Sequence, residues 1–190
     1  MHIKIARTAR PILELIRNRW SPRSFSSDKI SEEDLSTLFE AASWSFSAGN
    51  MQPWYYLYGY RGTPGFDNIL HNLSAGNQVW AEKAAVLVVS LAKRERDPGK
   101  PNLWAKHDLG AANMLLIIQA LSMNIYGHPM AGFDALKMAE VLNIDTKVYE
   151  PVACIALGYP GDPGQLEQSL YNQEVAERKR KKIEEISRPA

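Results

Sequence analysis

Apolar positions change period repeatedly along the chain, and each change marks an element. Ile12, Leu15 and Ile16 stand at helical spacing behind Pro11, which takes the favoured first position of a short helix. Ser31 with Asp34 three residues on has the pattern of a capping box. Leu35, Leu38, Phe39 and Ala42 follow as the stripe of an amphipathic helix. Ser43 to Trp54 is polar and aromatic, with a turn at Gly49-Asn50 and Pro53 ending any helix. Tyr55 to Tyr60 reads as a strand. Phe66, Ile69, Leu70 and Leu73 give a further helical stripe, broken at Gly76-Asn77.

Ala84 to Ala92 is apolar on both faces and predicts a central strand. Lys93 to Asn102, with six charges, two prolines and a glycine, reads as an exposed loop. Trp104 to Met123 is helical but has no wholly polar face, so part of its surface is expected to meet another subunit. Asn124 to His128 reads as a short strand and Pro129 to Gly132 as a turn. Phe133 to Leu142 reads as a helix with Leu136 and Ala139 inward, and Pro151 to Gly158 as a second all-apolar strand. The loop Gly158 to Gly164 and a polar tail from Gln165 to Ala190 follow. The order predicts one layer of sheet wrapped by helices, α/β or α+β. Residues 1–190 read as one domain, with a basic C-terminal arm from about residue 165.

Composition narrows the function. A net charge of +1 argues against a dedicated nucleic-acid binder. The charges are uneven, however: residues 1–30 sum to +5, residues 171–190 to +2, and the middle to −6. Cys154 is the single cysteine, which excludes an intramolecular disulfide, and its apolar surroundings predict an inert thiol. The start of the chain has no apolar signal region, and no apolar run reaches the ~20 residues of a membrane span. A cytoplasmic protein without membrane partners is expected.

Several chemistries lack their motifs. There is no G-x-G-x-x-G, no phosphate loop, no H-E-x-x-H, no paired C-x-x-C and no G-x-S-x-G. The four histidines are scattered, and no metal site is expected. His107-Asp108 reads as a helix N-terminus with an acidic residue favoured by the macrodipole.

What remains is a distributed set of elements. Arg19-Trp20-Ser21-Pro22-Arg23-Ser24-Phe25 fits R-x-S-x-R-x-F, and Ser47-Ala48-Gly49-Asn50-Met51-Gln52-Pro53-Trp54 fits S-x-x-N-x-Q-P-W. Gly76-Asn77-Gln78-Val79-Trp80 precedes the central strand. Pro129-Met130-Ala131-Gly132-Phe133-Asp134, Ala156-Leu157-Gly158-Tyr159-Pro160 and Arg180-Lys181-Lys182-Ile183-Glu184-Glu185-Ile186 complete it. In this order, over nearly the whole chain, they resemble the nitroreductase family of FMN-dependent oxidoreductases. Phe46 stands where that family usually has proline, Trp20 where a second arginine is common, and Ala84-Ala85 where Ala-Pro is frequent.

The resemblance implies an α+β fold with a central, mostly antiparallel sheet and a homodimer holding FMN at its interface. It implies ping-pong hydride transfer from NAD(P)H through FMN N5 to a small acceptor, nitroaromatic or quinone, with no protein residue as the chemical catalyst. It places Arg19, Ser21 and Arg180 at the phosphate or ribityl chain, beside Trp20, and Arg23 at the pyrimidine edge. Pro129, Met130, Ala131 and Gly132 would bring a backbone amide toward N5, and Gly132 would permit the close approach. Phe46, Ser47 and Asn50 would reach the cofactor from the neighbouring subunit. Same-fold alternatives are reductive dehalogenation, flavin breakdown or a non-catalytic FMN carrier.

Overall fold

Val86, Leu87, Val88 and Val89 leave no polar face, so the strand they form must be covered on both sides. The computed structural model, which describes residues 3–190, meets that demand with one sheet between two layers of helix. The strands are β1 (Trp54–Tyr60), β2 (Val86–Lys93), β3 (Glu95–Asp97), β4 (Lys100–Pro101), β5 (Tyr126–Met130) and β6 (Tyr149–Gly158). The helices are α1 (Glu14–Asn18), α2 (Glu32–Ser43), α3 (Pro64–His71), α4 (Ala75–Ala81), α5 (Ala105–Ser122), α6 (Ala135–Val141) and α7 (Gln168–Val175). The main sheet has the order β1-β2-β6-β5 and every pairing in it is antiparallel.

Side chains of β2 alternate between the two layers, as the period of a strand requires. Leu87 and Val89 point to a cluster with Phe25, Phe66, Ile69, Trp80, Met138 and Ala156, under α3, α4 and α6. Val86 and Val88 point to a second cluster with Leu35, Leu38, Leu116, Ile117 and Leu157, under α2 and α5. Cys154 is buried in the first cluster, where burial pushes its thiol up to about 12 and keeps it protonated and inert.

The Ser31 cap forms as expected: its Oγ accepts the Asp34 N–H at 3.0 Å, satisfying one early donor of α2. Ser31→Ala is expected to cost about 1 kcal/mol, read as a lower denaturant midpoint at unchanged slope.

Other expectations are corrected. α1 begins at Glu14, so Pro11 lies ahead of the helix rather than in its first turn. Gly76 and Asn77 sit inside α4; the break comes earlier, at Asn72–Ser74, where the Ser74 amide donates to the Gly132 carbonyl. The charged stretch after Lys93 folds into the small ribbon β3–β4. Pro129 and Met130 belong to β5, where a proline is tolerated because β5 is an edge strand. Asp134 caps α6, with Phe133 outside it, and the phase that follows buries Met138 and Ala139 while Leu136 is exposed. The tail makes no core of its own, yet Leu166 and Leu170 pack against the first cluster.

The long helix α5 buries Leu109, Ala112, Leu116 and Ala120 and leaves Met114 and Leu115 exposed. Within one chain it is therefore covered on one side only. Among the described residues no helix is long and apolar enough to cross a membrane.

Candidate functional site

After α1 ends, the backbone turns extended at Arg19 and runs as an arm to Phe25. The far end of that arm is pinned to the loop after β6. Phe25 bridges to Pro160, the Ser26 amide donates to the Tyr159 carbonyl and the Gly161 amide to the Ser24 carbonyl, both at 2.9 Å. The near end is held by two side chains from remote parts of the chain. His128 of β5 lies with Nδ1 2.9 Å from the Pro22 carbonyl, as a donor in the neutral ring. Glu174 of α7, only 3% exposed, accepts the Arg23 amide at 3.0 and 3.1 Å and the Ser24 amide at 3.0 Å.

The arm carries a crowd of cations. Arg19 donates to Ser21 Oγ at 3.4 Å; burial, then the positive charge of Arg180, lowers its pKa. Arg178 donates to the carbonyls of Lys4 (3.1 Å) and Arg17 (2.9 Å), and it too is disfavoured by burial and by Arg19 and Arg180. Arg23 places its guanidinium 5.9 Å over Trp80. Trp20 meets Tyr126 edge-on at 6.2 Å, with the Lys4 ammonium 5.2 Å over its ring. His128 stacks on Trp80 at 4.5 Å, and burial, with Arg23 and Arg19 adding to it, lowers its pKa to about 4. Guanidinium groups that repel one another and bond few protein acceptors are a donor set for a multiply charged anion. A phosphate monoester fits that chemistry.

At the end of β5, Met130 is buried while Pro129 and Ala131 are exposed. Gly132 is explained here by packing. A Cβ on it would lie 2.7 Å from Ser74 Oγ and 2.9 Å from Asn77 Nδ2, and its carbonyl accepts from both the Ser74 amide and Asn77 Nδ2. A cavity of about 530 Å3 opens beside it, lined by Ser74, Ala131, Gly132, Phe133 and Lys137 among others.

The Phe46–Gln52 loop is organised elsewhere. Ser47 Oγ accepts the Gln52 amide at 3.0 Å, and Gly49, Asn50 and Gln52 take positive φ. Asp108, 2% exposed, accepts the Ala48 amide at 3.0 Å and orients His107 at 2.9 Å. Asp108 thus fastens this loop in addition to facing the start of α5. Phe46 is 68% exposed, its ring 5.9 Å from His107. The contacts of Phe46, Ser47 and Asn50 run within the loop and to α5, whereas Arg19, Ser21, Arg23 and Arg180 gather at the arm.

The sequence gives no sign of Glu174, and His128 is marked only by its place directly before the Pro129–Gly132 element. Arg178 opens the basic run to Lys182, whose pattern alone reads as a solvated tail, whereas its guanidinium bonds two backbone carbonyls.

The model of the Nitroreductase family matches residues 16–63 and 56–159. A protein of Archaeoglobus fulgidus, provisionally named NADH dehydrogenase/NAD(P)H nitroreductase, is 28% identical over 155 residues, 79% of this chain and 86% of that protein. A crystal structure described as the oxidoreductase containing FMN superposes with a TM-score of 0.90 at 30% identity, covering 95% of this chain and 92% of that one. A provisionally named nitroreductase of Desulfovibrio desulfuricans, solved in complex with FMN, shares the fold at 22% identity, with a TM-score of 0.77 and coverage of 96% and 99%. The chain belongs to the Nitroreductase family.

Proposed function

We propose that the protein is a homodimeric FMN-dependent oxidoreductase that passes hydride from NAD(P)H to a small acceptor of nitroaromatic or quinone type. One observation carries this reading: on the arm that also bears Ser21 and Arg23, the Arg19 guanidinium, 3.4 Å from Ser21 Oγ, lies close enough to Arg180 for that charge to disfavour its own. Such a pair is kept where an anion compensates it. The similar structure described as containing FMN and the nicotinamide in the relative's name support the choice of anion and reductant.

FMN, when bound, would supply the hydride chemistry at its N5. Arg19, Ser21 and Arg180 hold its phosphate and ribityl end, with Trp20 alongside. Arg23 keeps a fixed positive charge at the pyrimidine edge, where negative charge grows on reduction. Ala131 and Gly132 offer backbone amides at the reacting edge, framed by Pro129 and Met130. Phe46, Ser47 and Asn50 complete the site from a second copy of the chain. The exposed apolar side chains of Phe46 and Trp104, both against His107 of α5, and of Met114 and Leu115 further along that helix support the dimer, since large exposed apolar groups call for a partner.

Purified protein tests this directly. Added FMN should be retained, anaerobic NADPH or NADH should bleach it, and a quinone or nitroaromatic should restore the colour; light scattering should give twice the chain mass. Protein that takes up no FMN overturns the proposal. Protein that binds FMN yet is not bleached by either nicotinamide is a carrier or draws on another reductant. Arg180→Ala is expected to weaken FMN binding about tenfold or less, because the side chain is exposed, with thermal stability unchanged.

A further inference from the structure

The arm that bears Arg19 and Arg23 is held differently at its two ends. From Ser24 onward it is tied by backbone hydrogen bonds to residues 159–161, and Gln165 Nε2 adds bonds to Ser24 Oγ at 2.8 Å and the Phe25 carbonyl at 2.9 Å. Pro22 and Arg23, next to the guanidinium groups, are held instead by His128 and Glu174. Two successive peptide groups are engaged through three polar atoms: the carbonyl of Pro22 and the amides of Arg23 and Ser24. Both side chains are far away in sequence and come from two separate elements, β5 and the tail helix α7.

Glu174 is the more telling of the two. A nearly buried carboxylate beside Arg23, Arg178 and Lys4 could form an ion pair, yet its oxygens receive backbone amides. Lys4 Nζ donates to the Gln173 carbonyl at 2.7 Å, and Arg178 donates to carbonyls as well. Glu174 therefore lowers the electrostatic cost of gathering the cations without neutralising any guanidinium by direct contact. The Arg23 side chain is left to lie over Trp80, whose ring is itself stacked on His128.

We infer that Glu174 and His128 are positioning residues for the cofactor: a clamp on the Pro22–Ser24 backbone that presets Arg19 and Arg23 before FMN arrives. This rests on the FMN reading above and adds that the C-terminal helix α7 belongs to the cofactor site through Glu174. Preorganisation of this kind raises affinity by removing the ordering cost from the binding step. Glu174 touches neither the phosphate nor the ring in this account; it acts through the arm.

The test compares Glu174→Gln, Glu174→Ala, His128→Asn and His128→Phe with the full-length parent. FMN affinity is measured by fluorescence quenching, the reduction potential of bound FMN by dye equilibration, and the melting temperature of flavin-free protein alongside. Glu174→Ala is expected to weaken FMN about tenfold and Glu174→Gln about threefold, since the amide keeps one acceptor oxygen but not the charge. Both should move the potential of bound FMN to more negative values, because Arg23 no longer holds its place. His128→Asn, whose side-chain amide can still donate to the Pro22 carbonyl, should stay near the parent, whereas His128→Phe should match Glu174→Ala. Glu177→Ala, which removes only the surface pair with Arg7, should change neither affinity nor potential.

A lower melting temperature with unchanged affinity and potential in Glu174→Gln would make the clamp purely structural and overturn the inference. Failure of His128→Asn to preserve what His128→Phe loses would remove His128 from it. A parent protein that never binds FMN overturns the underlying reading instead, and the two failures are told apart by that single measurement.

Discussion

Arg19→Ala is expected to weaken FMN binding about 100-fold, while the flavin-free protein stays as stable as the parent or becomes slightly more so. The two halves of the result have one cause. Arg19 is half-buried, the one hydrogen bond of its guanidinium among the described residues is a long 3.4 Å contact with Ser21, and Arg180 repels it. Removing it relieves desolvation and like-charge repulsion in the empty protein. In the loaded protein the same guanidinium meets a phosphate, and two charge-assisted bonds at about 1.5 kcal/mol each give roughly two decades of affinity. A residue that costs stability without ligand and adds affinity with it marks a site where local consistency has been given up for function. Calorimetry of FMN binding and a thermal melt of flavin-free protein check both halves. Unchanged affinity would remove Arg19 from the phosphate site; loss of affinity with an equal loss of stability would make it a structural residue.

The parts of the fold legible in the sequence are those where neighbouring residues alone settle the outcome. β2 opens on the apolar run Val86–Val89 and β6 holds the apolar run from Pro151 to Gly158, while α2 pairs a serine cap with a clear stripe, so both kinds of element follow from local pattern. The errors fall where distant residues decide. Pro129 looks like a turn until β5 is known to be an edge strand. Gly76 and Asn77 look like a break until α4 is seen to need Asn77 on the Gly132 carbonyl. The ribbon after Lys93 is hidden because its short pairing carries only charges, prolines and a glycine, with no apolar alternation to announce it.

The candidate site divides along the same line. Arg19, Ser21 and Arg23 are close in sequence and chemically conspicuous, so a basic arm with a resemblance behind it could be found. Glu174 and His128 act on backbone groups about 150 and 106 positions away. Backbone amides and carbonyls have no sequence signature, so side chains that serve them look like ordinary members of a polar tail and an apolar strand. The uneven charge has a partial account in the same geometry. Cations from both ends of the chain, Lys4, Arg19 and Arg23 with Arg178 and Arg180, converge on one region, and the total far exceeds what a phosphate dianion needs. Arg178 spends its charge closing the end of α1 onto the N-terminal segment, a structural duty that the excess allows.

His128 should also write itself into the pH dependence of stability. Its pKa in the folded protein is lowered to about 4, first by burial, then by Arg23 and Arg19, with the Pro22 carbonyl opposing them. An unfolded chain returns it to about 6.5. Between these values the unfolded state binds the extra proton, so stability rises with pH across that window. The contribution is complete above about pH 6.5 and is lost as pH falls toward 4, to a ceiling of about 3 kcal/mol. Denaturant midpoints of flavin-free protein from pH 7 down to pH 4 should fall accordingly, and His128→Asn, which cannot titrate, should flatten that limb. Saturating FMN should flatten it in part. Phosphate beside Arg19 offsets one of the charges that push the histidine down, so the folded pKa moves part of the way back, while burial, the largest cause, remains. An acid limb equally steep with and without FMN would place the phosphate away from Arg19. One equally steep in His128→Asn would mean that another group, not this histidine, sets the acid stability of the protein.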